Sequence, residues 1–255
     1  MDIWFALGFS VAFNLAMFLI AFRRGTDKLT DVSYAITFVA LAVFGVFRSQ
    51  EMSVAKWIVF YMVVFWAVRI GWFLFMRIQK TGKDKRFDDM RSNFWKFLSF
   101  WLLQAVTAWV VMLGAMKFLF EGVEPIRGFI VLGGAIWIIG LLLESVADLQ
   151  KLHFMKNKKN KDKWIASGLW KYSRHPNYFG EILVWFGIYV FVVSGLEGTA
   201  QLLSVISPIF IMFLLLFVSG VPLLEKSADA RWGRDKKYQQ YKNSTSIIVP
   251  LPPKS

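Results

Sequence analysis

Seven stretches of this chain are nearly free of charge and approach or exceed the length that crosses a bilayer, and no motif constrains the fold as much. With the polar residues at their ends included, they cover about residues 3–22, 31–47, 55–76, 97–116, 128–147, 180–196 and 199–224, followed by a polar tail, 225–255. A segment in hydrocarbon must pair its own backbone N–H and C=O groups, so each stretch is expected to be a helix. The predicted architecture is an all-α, seven-transmembrane-helix bundle forming a single integral membrane domain over 1–255. Apolar residues make up 56% of the sequence and charged ones 18%, which excludes a disordered or fibrous chain. The opening Met1-Asp2-Ile3 lacks the basic start of a cleaved signal peptide, so the first stretch is expected to stay as an anchor. Pro208 and Pro222 are expected to kink the last span, and Gly133, Gly134 and Gly140 to permit close helix contact.

A net charge of +13 would point to nucleic acid in a soluble protein. Here, however, 25 of the 30 Lys and Arg fall in segments 23–30, 77–96, 148–175 and 225–254. These are alternate connections plus the tail. The asymmetry predicts a multi-pass protein with its amino terminus outside and its carboxyl terminus cytoplasmic, a bacterial inner membrane as setting, and no nucleic-acid partner. The run Lys156-Asn157-Lys158-Lys159-Asn160-Lys161-Asp162-Lys163 reads either as a solvated loop drawn to anionic headgroups or as an electrostatic funnel for an anionic cofactor. With no cysteine and only His153 and His175, neither a disulfide nor a metal centre is expected.

A charge inside hydrocarbon costs roughly 2.5–3.5 kcal/mol on insertion scales, so each one should face a partner or a cavity. Arg69 lies in the third span, Asp31 opens the second, Glu144 and Asp148 close the fifth, and Asn177 and Glu181 open the sixth. In the predicted orientation all fall in the cytoplasmic half, as a cytosol-facing cofactor cavity would require. Helical spacing supports convergence. Glu144 with Asp148 and Asn177 with Glu181 are i,i+4 pairs, while Asp31 with Tyr34 and Trp66 with Arg69 are i,i+3 pairs. For any single residue the simpler alternative is an interhelical ion pair, such as Arg69 with Asp31 or Glu144. The strongest local string is Ser167-Gly168-Leu169-Trp170-Lys171-Tyr172-Ser173-Arg174-His175-Pro176-Asn177-Tyr178-Phe179-Gly180-Glu181. Pro176 suits a first helical turn, whose free N–H groups beside Arg174 offer a place for a phosphate or carboxylate.

With Asp31-x-x-Tyr34, Trp66-x-x-Arg69, Glu144-x-x-x-Asp148-x-Gln150, Tyr241 and Val249-Pro250, that string resembles the superfamily of steroid 5α-reductases, intramembrane sterol reductases and isoprenylcysteine carboxyl methyltransferases. The similarity is greatest to the reductase branch. It spans roughly residues 30–250 and is most specific in the carboxyl-terminal half. The resemblance implies an NADPH-dependent reductase that delivers hydride to the β-carbon of an enone in a lipophilic, steroid-like substrate, with membrane lipid as its surroundings. It implies Arg69, Glu144, Asp148, Asn177, Glu181 and Tyr241 around the cofactor, with Arg77, Arg86, Tyr172 and Arg174 near its phosphates. The family's carbonyl-polarising glutamate and tyrosine correspond to Asp31 and Trp66. Tryptophan cannot supply an acidic proton, so Tyr34, or a protonated Asp31, takes that role. Gln50-Glu51 imitates a family dipeptide but is expected on the outer side.

Arg174-His175-Pro176 and the tail from Glu225 to Tyr241 also resemble the methyltransferase branch, for which S-adenosylmethionine would be the cofactor. That branch commonly has two adjacent glutamates where this chain has Glu225-Lys226. A non-enzymatic lipid-binding or transport protein is the third reading. Transport predicts polar residues at the midplane, against the one-sided clustering expected here. Oligomeric state is not legible, and no Gly-x-Gly-x-x-Gly marks a Rossmann site. Because the chain lacks cysteine, single substitutions report topology directly. Lys158→Cys and Lys236→Cys should react with an impermeant maleimide from the cytoplasmic face and Val123→Cys from the other; labelling of all three from one face refutes the orientation.

Overall fold

A computed structural model of the chain describes residues 2–81, 90–91 and 93–254. Its helices are α1 (Asp2–Arg23), α2 (Lys28–Arg48), α3 (Val54–Thr81), α4 (Phe94–Glu121), α5 (Arg127–Lys156), α6 (Pro176–Val192), α7 (Gly198–Phe213), α8 (Val221–Trp232) and α9 (Lys236–Ser244). Short 3-10 turns lie at Lys158–Asn160, Gly168–Lys171 and Val193–Gly195, and a π-helical turn at Leu214–Val218. No strand occurs among the described residues, and seven helical segments are long and apolar enough to cross a membrane. The protein is an all-α polytopic membrane protein.

The helices outrun the apolar stretches that announce them. α5 continues to Lys156 instead of ending near residue 147. A charge ends an apolar run, but a helix needs a breaker to stop it, and none occurs before Asn157. At about 1.5 Å per residue its 30 residues extend about 45 Å, beyond the ~30 Å of hydrocarbon. The last span departs from expectation in the opposite sense. In place of one kinked helix over 199–224 there is α7, then the π turn, then a separate α8. Pro208 sits inside α7, whereas the chain breaks at 214–220 and Pro222 falls in the first positions of α8, where its missing N–H leaves no bond unmade.

The chain packs as two compact units, Met1–Gly133 with Ile188–Ser207, and Gly134–Gly187 with Pro208–Ser255. In the first, α2 packs on α3 and α4, and α1 on α2 and α4. Phe18, Ala21, Phe97 and Trp101 form a buried cluster. Apolar burial gives helices little reason to associate in lipid, so buried polar pairs add the specificity. Gln104 Nε2 donates to Asn14 Oδ1 at 2.9 Å, and Asn14 Nδ2 to Thr37 Oγ1 at 3.1 Å and to the Ser10 carbonyl at 2.9 Å. Ser10 Oγ donates to the Ala105 carbonyl at 2.9 Å, and Ser207 Oγ to that of Val111. These bonds link α1 to α2 and α4, and α4 to the middle of α7. Asp27, ahead of α2, does not cap that helix with its side chain; it accepts from Arg91 Nη1 at 3.1 Å.

In the second unit α5 is inside-out relative to a water-soluble helix. Glu144, Ala147 and Asp148 are buried, while Ile138, Ile139, Leu142 and Val146 are exposed, as suits a helix whose outer solvent is lipid. α5 meets α6 through two glycines. A Cβ on Gly140 would lie 2.7 Å from the Val184 nitrogen, and one on Gly180 would lie 2.5 Å from the Glu144 nitrogen. Gly134, expected to share this role, has open space beside it instead. Trp170 packs with Ala147 and Ile165, and its indole N–H reaches the Ala147 carbonyl at 3.0 Å. Gly180→Ala should therefore lower the melting temperature in detergent, because overpacking against backbone costs about 1–3 kcal/mol. Gly134→Ala should leave it unchanged or raise it, since alanine is favoured over glycine in a helix by about 1 kcal/mol. Equal melting of the two variants would show that the glycine contact does not limit packing.

Candidate functional site

The string that enters α6 is shaped by local rules and then clamped from both sides. Gly168 has a φ of 61°, and a Cβ there would lie 2.5 Å from Gln150 Oε1. That same oxygen accepts from the Leu169 N–H at 2.9 Å, so Gln150 on α5 fixes the turn. Beyond the turn, the tail runs alongside the chain. Arg174 N–H donates to the Ser246 carbonyl at 2.8 Å and His175 N–H to that of Ile247 at 3.1 Å. Ser173 Oγ donates to the Ile248 carbonyl at 2.7 Å, and Leu251 N–H to that of Tyr172 at 3.0 Å. From α9, Tyr241 donates its phenol to the Trp170 carbonyl at 2.7 Å.

Held in this way, Arg174 and His175 share one carboxylate. Glu225 of α8 accepts from Arg174 Nη1 at 2.8 Å through one oxygen and meets His175 Nε2 at 2.9 Å through the other. Lys242 Nζ lies 3.6 Å from Glu225 and 2.6 Å from Asp229. Burial pushes the His175 pKa below the ordinary imidazole range, outweighing the Glu225 carboxylate that raises it. The ring is therefore neutral near pH 7, and the carboxylate at Nε2 holds its proton on that nitrogen. Burial likewise raises the Tyr238 and Tyr241 phenols, which keeps both protonated. Arg174 Nε and His175 Nδ1 are buried with no hydrogen-bond partner among the described residues.

Beside this cluster lies a cavity of about 870 Å³ bounded by the end of α5, the loop over 157–165, the entry to α6, α8 and α9. Its basic lining is Lys151, Lys156, Lys158, Lys161, Lys163, Arg174 and Arg231, against which stand Asp162 and Glu225. Both acids already meet a guanidinium, Asp162 that of Arg231 and Glu225 that of Arg174. One wall is aromatic. Trp164 lies 5.3 Å from Tyr238 and 6.1 Å from Trp232 between ring centroids, and Lys151 Nζ sits 4.7 Å above the Trp170 ring. A polyanion carrying a flat ring matches this donor set, with lysines and arginines for phosphates and rings for a base.

The residues singled out from the sequence divide between the two units. In the second, Arg174 and Tyr241 line the cavity, while Glu144 and Asp148 are buried on α5, where Asp148 accepts from Asn177 at 3.2 Å. Glu181 is half-buried on α6, and Tyr172 is exposed and outside the cavity lining. In the first, Asp31 accepts from Arg77 Nη2 at 3.3 Å. Tyr34 meets Phe38 edge-on at 4.9 Å, and Phe38 meets the wholly buried Trp66 in the same way at 4.9 Å. Arg69 is half-buried on α3. Arg86 lies outside the described residues. Sequence reasoning missed Glu225 as the shared acceptor, as well as the wall of Trp164, Trp232 and Tyr238. The adjacency of Arg174 and His175 was the available signal, because a buried cation beside a buried imidazole calls for an acid elsewhere in the chain.

Fold and site together define a polytopic all-α membrane protein with a basic, aromatic-walled cavity built on its carboxyl-terminal helices. The chain belongs to the family described as protein of unknown function (DUF1295), whose model matches residues 17–245. That family lies within the steroid 5-alpha-reductase-like superfamily. No curated protein and no solved structure matches the chain.

The titration of His175 has a defined sign. An unfolded histidine takes up its proton near pH 6.5, whereas the buried ring does so only at lower pH. Between those values the unfolded state binds more protons, so stability is full above about pH 6.5 and declines as pH falls. The melting temperature in detergent should drop between pH 7.5 and pH 5.5, and His175→Asn should reduce that drop. An undiminished drop in the variant would assign the effect to another group.

Proposed function

We propose that this protein is a membrane reductase that uses NADPH to reduce the C=C bond of an enone in a lipophilic, steroid-like substrate. The observation that most supports this reading is the charge of the cavity, where seven basic side chains surround two acids that are already paired. NADPH brings a diphosphate and a ribose phosphate, and such groups are held well by lysine and arginine. S-adenosylmethionine carries a sulfonium and an ammonium against a single carboxylate, so the same lining repels it. Electrostatics thus favours the dinucleotide over the methyl donor, although both contain adenosine. The 870 Å³ volume falls within the range of ligand clefts. Membership of a family in the steroid 5-alpha-reductase-like superfamily is compatible with this reading.

When bound, NADPH supplies hydride. The remaining work belongs to the chain. Lys151, Lys158, Lys161 and Arg174 hold phosphate oxygens, and Trp232 or Trp164 offers a stacking face for the base. Tyr34 donates its phenolic hydrogen to the substrate carbonyl and stabilises the negative charge that grows there. Asp31 accepts from Arg77, which leaves the phenol as the donor of that pair. In this reading the basic segments face the cytoplasm, the polar cofactor arrives from that side, and the apolar substrate arrives through lipid.

The test is NADPH binding and oxidation by the purified protein in detergent with an enone steroid. Lys158→Gln combined with Lys161→Gln should weaken NADPH binding about three- to tenfold, with a smaller effect at high salt. Tyr34→Phe should leave binding intact and lower turnover at least about 100-fold. Retention of S-adenosylmethionine in place of NADPH would replace this reading with the methyltransferase one.

A further inference from the structure

The loop over 157–165 forms one side of the basic cavity and is anchored near its two ends, where Asn160 Nδ2 donates to the Phe154 carbonyl at 3.0 Å and Ile165 is buried with Ala147 and Trp170. It carries Lys158, Lys159, Lys161 and Lys163 within six residues and faces Lys151, Arg174 and Arg231 across the opening. Like charges at this density repel one another. Between those anchors, a small group of contacts centred on Asp162 opposes the repulsion. Its carboxylate meets Arg231, and its carbonyl accepts the Trp232 indole N–H at 2.7 Å. Its backbone is left-handed, with a φ of 63° in a non-glycine residue, a conformation that needs outside support. Trp164 then packs edge-on against Trp232 and Tyr238. The Asp162 and Arg231 side chains are 70% and 53% exposed. An ion pair so open to solvent contributes little by itself.

We propose that residues 157–165 are a strap that shuts over a polyanion in the cavity, pinned at Asp162 by Arg231 and Trp232. The balance between open and shut is close because lysine repulsion opposes a weak pin. A polyanion changes the sign of the first contribution, since phosphates lying between the lysines and Arg174 convert repulsion into attraction. The strap thus couples occupancy of the cavity to its closure. A ligand that binds only the shut form also stabilises it by mass action. Glutamate or aspartate in place of the lysines would hold the loop shut whether or not a ligand were bound, whereas the closure of a lysine-rich strap responds to one. The identity of the ligand rests on the dinucleotide reading above, but the pin does not.

Trypsin cuts after lysine and so reads opening of this loop directly in the full chain. The rate of cleavage within 157–165, followed by peptide mass, should rise about two- to fivefold in Arg231→Gln and again in Trp232→Phe, with helix content unchanged. Arg231→Lys, which keeps the charge at the pin and adds no cleavage site within 157–165, should leave the rate near that of the starting protein. NADPH and inorganic tripolyphosphate should each slow cleavage of the unaltered chain. Wild-type rates in both single variants overturn the strap, as does failure of both polyanions to protect. Protection by tripolyphosphate without protection by NADPH supports the strap and removes the dinucleotide reading instead.

Discussion

The carboxylate of Glu225 is the contact on which the second unit depends. One oxygen takes the Arg174 guanidinium and the other the His175 imidazole, so a single side chain ties α8 to the segment that opens α6. The tie is specific because both partners are presented by a rigid backbone. The tail pairs with residues 172–175 on one side, and Gln150 fixes the turn before them on the other. Without the acid, the Arg174 guanidinium would lose this counter-charge and the His175 Nε2 proton its acceptor, a more costly state than never having buried them. The cavity follows from this arrangement, since its walls are the elements that Glu225 and the neighbouring Tyr241 hold together.

The rest of the molecule obeys the inverted logic of a protein dissolved in lipid. Outward faces are apolar because the surroundings are apolar, so they contribute little to helix association, and specificity comes from polar contacts turned inward. In the first unit this is the chain of Ser10, Asn14, Thr37 and Gln104; in the second it is the buried face of α5 with Glu144 and Asp148. Close backbone approach at Gly140 and Gly180 brings α5 and α6 together tightly enough for Asn177 to reach Asp148.

Membership of the DUF1295 family places the protein in the steroid 5-alpha-reductase-like superfamily without assigning a reaction. The proposed choice of cofactor rests on the charge of the cavity, because two adenosine-bearing cofactors differ in charge more than in shape. The same excess of lysine has a structural cost, since it loads the 157–165 loop with repulsion that Asp162 and the aromatic wall oppose. The proposed affinity for a polyanion and the proposed opening of the loop then rest on one composition. The proposed reductase uses both.

Hydrophobic run length was sufficient to reveal an all-α chain with seven spans, because the need to satisfy backbone groups in hydrocarbon leaves helix as the only choice for an isolated apolar segment. Run length said less about helix ends. α5 continues nine residues past the expected boundary at 147 because charge is no obstacle to helical hydrogen bonding, and the last span breaks at 214–220, not at Pro208. The string around Arg174 and His175 stood out in the sequence because those residue types are costly near apolar spans. Its partner Glu225, the aromatic wall, and the use of Gly140 and Gly180 but not Gly134 were decided by tertiary structure alone. Each depends on which face of one helix meets another, and periodicity within a single segment carries no record of the neighbour it will meet.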